Sequence, residues 1–172
     1  MTNQAPSPAP SLRGSLAGLA LSLAACFAVS GLGGWVTAGP VKTWYPALVK
    51  PAGLTPPDAA FPIVWTSLYL LMAIAAWRVW RQAGWQKGQA ALGLFGLQLL
   101  LNLGWSVLFF GLQRPDLALA EVLLLWLAIL ATLLSFRRHD RLAGWLLAPY
   151  LAWVGYAALL NGLIWWLNRP IG

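Results

Sequence analysis

Residues 90–112 read AALGLFGLQLLLNLGWSVLFFGL, an apolar tract with no charged residue and with two carboxamides, Gln98 and Asn102, set into it. A bilayer core about 30 Å thick is crossed by roughly 20 apolar residues in a helix, so this tract is long enough to span. An amide in hydrocarbon is costly unless another group satisfies it, and two amides four residues apart lie on one helical face. The tract therefore predicts a transmembrane helix whose polar face turns toward other protein.

Four further stretches of similar character flank it, giving five in all, at about 16–34, 61–80, 90–112, 117–136 and 143–167. Sixty per cent of the 172 residues are hydrophobic and nine per cent are charged, and the five stretches leave no room for a separate soluble domain. The fold class predicted is an all-α integral membrane protein, a five-transmembrane-helix bundle over 15–168. Residues 1–14, rich in Pro and Ser, form no core pattern and are expected to be a disordered amino-terminal tail. A long first loop is expected at about 35–60, where Trp44-Tyr45-Pro46, Lys50-Pro51 and Pro56-Pro57 disfavour a helix and place aromatic rings at the membrane surface. This loop reads as a lid.

The net charge of +7 is spread over segment ends and connections, which is membrane-flanking charge and not a nucleic-acid stripe. No nucleic-acid partner is expected. With alternate connections on one face, the amino-terminal side carries seven Lys and Arg and the other side four. The positive-inside rule then puts the amino terminus in the cytoplasm. Cys26 ends a Leu23-Ala24-Ala25-Cys26 run similar to a lipoprotein processing site, but the chain stays apolar after it, and a retained first helix is the expectation.

Helical spacing gathers the remaining polar and aromatic residues into stripes. Gln98, Asn102, Trp105 and Phe109 follow steps of four, three and four on the third helix. Tyr150, Trp153, Ala157 and Asn161 do the same on the fifth, and Trp65, Tyr69 and Met72 on the second. Any one stripe is explained by helix packing; three stripes and an aromatic lid describe a pocket for a flat apolar ligand. Glu121, one turn into the fourth helix, is either a functional intramembrane acid or an interfacial carboxylate, solvated or paired with Arg114.

Conventional catalysis finds few parts. The one His is His139 in a basic loop, the one Cys is Cys26, and the four carboxylates show neither metal-ligand nor paired-acid spacing. No metal and no resident cofactor are expected, and haem ligation has no axial candidate within the membrane.

Taken in order from Trp35 to Asn161, the motifs resemble the translocator protein, or tryptophan-rich sensory protein, family. They are Trp44-Tyr45 with Leu48 and Lys50-Pro51, Pro56-Pro57, Trp65 with Tyr69 and Met72, Asn102-x-x-Trp105-Ser106 with Phe109-Phe110, and Pro149-Tyr150-Leu151-Ala152-Trp153 through Ala157 to Leu160-Asn161. The resemblance implies a homodimer of five-helix bundles that binds porphyrins, sterols and benzodiazepine-type ligands beneath the first loop. Carried over by position, the ligand-binding residues are Tyr45, Pro57, Trp65, Asn102, Trp105, Trp153 and Ala157; helical spacing adds Gln98. Gly88, Gly96 and Gly104, at eight-residue intervals, are the expected close-contact face for a second copy. The family's sterol pattern needs a central Tyr, which the 160–169 stretch lacks, so a porphyrin-type tetrapyrrole is the expected ligand.

The expected function is sensing, carrying or regulating tetrapyrrole level. One alternative is light-dependent porphyrin degradation with Trp65 and Trp153 as the reactive indoles. The other is a structural or scaffolding role.

Overall fold

The computed structural model describes residues 11–169. Within these described residues six α-helices follow one another: α1 (Leu12–Ala38), α2 (Pro40–Thr43), α3 (Ala60–Ser106), α4 (Pro115–His139), α5 (Arg141–Leu146) and α6 (Ala148–Asn168). Among the described residues four helical tracts are long and apolar enough to cross a membrane, α5 and α6 counting as one. The tract that contains α3 runs 52 residues, far more than one crossing requires.

Gly84 divides it. With φ 66° and ψ −179° it adopts a conformation open chiefly to glycine, and the chain reverses there. Tyr69 meets Asn102 and Met72 meets Gln98, pairs that lie symmetrically on either side of this point. The two halves of α3 are therefore antiparallel, and the bundle has the five crossings expected. The predicted 81–89 connection shrinks to a single residue because helix continues on both sides of it.

Helix ends also run further than expected. α1 begins at Leu12, inside the stretch 1–14 assigned to the tail, because the Ser11 hydroxyl accepts the Gly14 N–H at 3.3 Å and caps it. Residues 1–10 of that tail lie outside the described residues. The predicted third span ends in a π-helical turn, Val107–Gly111, closed by the Leu112 N–H on the Val107 carbonyl at 2.7 Å.

At the end of the bundle that holds Gly84, small residues let helices approach. Ala73, Ala75, Ala76, Ala91 and Ala143 are all buried, and Phe95 stacks on Phe136 with centroids 5.8 Å apart. A Cβ at Gly18 would run into the Trp80 ring, which seats α1 against the first half of α3. Asp140, the single extended residue between α4 and α5, accepts the N–H groups of Leu142 at 2.9 Å and Ala143 at 3.0 Å. It also meets Arg78 at 2.7 Å, tying this corner to α3. Burial acts to raise the Asp140 carboxyl, but the Ala143 N–H, Arg78 and the Leu142 N–H outweigh it and hold the group below the usual carboxylate range.

The polar-in arrangement inferred from residues 90–112 is present. Gln98, Asn102, Thr132 and Asn161 are buried, while leucines along every long helix face outward. Exposed tryptophans sit at both ends, Trp85 and Trp145 beside the Gly84 reversal and Trp35 and Trp166 at the opposite end, as aromatic belts do.

Candidate functional site: an aromatic cavity under the first loop

At the end away from Gly84 the helices hold a cavity of about 620 Å³. Its roof is the first loop. Pro40 starts the short α2, and a 3₁₀ turn over Tyr45–Ala47 with Pro46 inside it brings Trp44 and Tyr45 down onto the π-helical turn. Trp44 meets Phe109 edge-on at 5.6 Å, and Tyr45 lies 5.8 Å from Phe110. Lys50 places its ammonium 4.6 Å above the Tyr45 ring. Burial, the charge of Asp58 and the Tyr156 phenol all push the Tyr45 phenol above its usual range.

Two more contacts hold the roof. The Asn168 amide accepts the Val49 N–H and donates to the Val49 carbonyl, both at 2.9 Å, as a neighbouring strand would. The Tyr156 hydroxyl donates to the Leu54 carbonyl.

The walls come from the predicted stripes. Trp105 stacks on Phe109 at 5.1 Å, and its indole N–H donates to Asn161 Oδ1 at 3.0 Å. Asn161 in turn donates to the Pro115 carbonyl at 2.7 Å, which joins α3, α4 and α6 beside the cavity. Trp153 meets Phe61 edge-on at 6.1 Å. Trp65 lies 5.8 Å from Tyr69 and 6.3 Å from Tyr150. At the floor, Asn102 accepts the Tyr69 hydroxyl at 2.5 Å and donates to the Tyr150 oxygen at 3.0 Å. Both of its polar atoms are thus engaged by the protein itself.

Of the residues expected at the site, Tyr45, Trp65, Asn102, Trp105, Trp153 and Ala157 line the cavity. Gln98 does not: one turn below Asn102, it is buried against Met72, with Nε2 3.9 Å from the sulfur. Pro57 does not line it either, while the next residue, Asp58, does. Glu121 is not paired with Arg114, which forks onto Asp116 at 2.8 and 2.6 Å. Both Glu121 oxygens are buried with no hydrogen-bond partner among the described residues, and a Cβ on Gly104 would lie 3.6 Å from one of them.

The wall built by α1 went unread in the sequence. Ser30, Gly33, Gly34 and Thr37 line the cavity. Their spacing of three or four is a face of small residues, a helical signal as regular as the aromatic ones but carrying no large side chain to mark it.

Long apolar helical crossings around a roofed aromatic cavity define an integral membrane protein of the helical-bundle class. Residues 22–167 match the TspO/MBR family, and the chain belongs to it. It is 45% identical over 152 residues to the tryptophan-rich protein TspO of Chlorobaculum tepidum, covering 87% of this chain and 95% of that one. It is 37% identical over 162 residues to protein CrtK of Rhodobacter capsulatus, covering 91% and 98%. The translocator protein of Sus scrofa is 35% identical over 147 residues, covering 82% and 86%.

Proposed function

We propose that the cavity binds a porphyrin-type tetrapyrrole and that the protein senses, carries or regulates the level of that pigment. The observation that carries this reading is the wall itself: Trp65, Trp105 and Trp153, on three different segments, face one space of about 620 Å³ under an aromatic roof. That volume falls within the ~300–1,000 Å³ of small-molecule sites, and flat aromatic faces match a flat conjugated ligand. Sterols and benzodiazepine-type ligands meet the same apolar surface.

Quenching of tryptophan fluorescence by free-base protoporphyrin tests the proposal in detergent. Saturable quenching is expected, weakened roughly tenfold or more by Trp105→Ala, since the stacked indole contributes both buried area and ring contact. Wild-type protein that never saturates would leave the tryptophans as packing residues and support the scaffolding role.

A second reading, light-dependent porphyrin degradation, is favoured by Trp65 and Trp153 both reaching the cavity. Trp65→Phe and Trp153→Phe keep an aromatic wall and remove the easily oxidised indole. On this reading, porphyrin absorbance is lost under illumination only with the wild type, beyond dark and protein-free controls; equal loss in all samples sets it aside.

The amino terminus in the cytoplasm and a homodimer complete the proposal. Gly93 and Gly96, where a Cβ would meet nothing within 4 Å, together with exposed Leu97 and Leu100 offer a face for the second copy. Gly88 and Gly104 pack within the same chain instead. Crosslinking across this face in native membranes tests it, and strictly monomeric protein there would refute it.

A further inference from the structure

The corner between α4 and α5, at the opposite end from the cavity, carries three exposed guanidiniums within five residues: Arg137, Arg138 and Arg141. Two of the surrounding features show that this is more than loose surface charge. The stem of Arg137 lies across Gly144, where any Cβ would collide with it, and its guanidinium sits 5.2 Å from the centre of the Trp145 ring. A long flexible cation is thereby held in one place, at little further cost in side-chain entropy on binding. The nearby carboxylate, Asp140, does not compete. It is 8% exposed, engaged by Arg78 and by two backbone N–H groups.

Leu142 and Trp145, three residues apart on α5, are 51% and 59% exposed. An exposed indole at a helix end marks the depth of the lipid headgroups. The corner therefore presents planar cations suited to phosphate beside apolar surface suited to the glycerol and upper acyl chain.

We propose that this corner is a binding site for the phosphodiester headgroup of an anionic phospholipid, with Arg137 over Trp145 as its fixed cation and Leu142 against the lipid's apolar part. An anionic lipid so held anchors α4 to α5 across Asp140, the single extended residue that joins them.

Native mass spectrometry of the full chain in neutral detergent, with equimolar phosphatidylglycerol and phosphatidylcholine of matched acyl chains, reads the preference directly. Wild type is expected to retain phosphatidylglycerol selectively. Juxtamembrane basic residues each contribute about fivefold to anionic-surface binding, so Arg137→Gln, Arg138→Gln and Arg141→Gln together should lower retention on the order of a hundredfold. A control triple at the same end, Arg13→Gln, Arg81→Gln and Lys87→Gln, removes equal charge and is expected to leave the preference in place. Should the corner triple fold poorly, Arg137→Lys keeps the charge but loses the planar fork, and a several-fold drop is expected from it alone. Equal losses in both triples would mean a diffuse field and overturn the site, as would an unchanged Arg137→Lys. Displacement of the lipid by inorganic phosphate at matching concentration would overturn it too, by assigning the corner to a soluble anion.

Discussion

The two ends of the bundle use the same helices in opposite ways. Near Gly84 and Asp140 the facing residues are alanines, and the helices close until Phe95 and Phe136 stack. Near the first loop the facing residues are Trp65, Trp105, Trp153 and Phe109, and the helices stand apart around a cavity. Small residues let backbones meet, while large rings braced by other rings keep them separate. The cavity is a product of side-chain size along each helix, and the closed end gives the open end something rigid to diverge from.

The largest effect is expected where the closed end is tied. Asp140→Ala removes the partner of a partly buried Arg78 and the cap of α5, and should cost about 3 kcal/mol in reversible unfolding in detergent. Porphyrin affinity of the protein that remains folded should not change. A proportionate loss of affinity would show that the two ends are not separable.

Asn102→Leu strikes the boundary between them. Leaving the Tyr69 and Tyr150 hydroxyls without their shared partner should destabilise the bundle by about 2 kcal/mol and loosen the cavity floor. Thermal unfolding and porphyrin titration are then expected to shift together. Weakened binding with unchanged stability would mean instead that the amide is free to serve the ligand.

Within the open end, Ala157→Thr adds bulk to the wall and should weaken porphyrin binding roughly tenfold while sparing stability. Unaltered affinity would place the ligand elsewhere under the roof. The smallest effect is expected from Asn168→Ala, which frees Val49 from α6. Loss of two exposed hydrogen bonds should speed ligand release by roughly fivefold, with the melting temperature held. Stopped-flow dissociation measures this, and an unchanged rate would mean that Tyr45 and Tyr156 hold the roof unaided.

How much of this contrast could be read from the chain depends on the range of the signal. The aromatic stripes were legible because a period of 3.6 puts Trp105 and Phe109, or Trp153 and Ala157, on one face whatever surrounds them. Depth was not legible. Gln98 shares the stripe of Asn102, but the stripe continues past the cavity floor into the packed end, and only tertiary structure says where the floor lies. The roof's attachment to Asn168 joins residues 119 apart in sequence and has no local signature. The π-helical turn was hidden for a related reason, since one extra residue in a helical turn leaves composition untouched while letting Phe110 line the cavity beside Phe109.

A hairpin closed by one left-handed glycine keeps both sides of its buried polar contacts on one continuous piece of chain. Gln98 and Asn102 each meet their first partner, Met72 and Tyr69, within that hairpin and not on a distant helix. Gly84 thus sets a short search as well as a shape: it places one partner for each of two buried amides on the same hairpin.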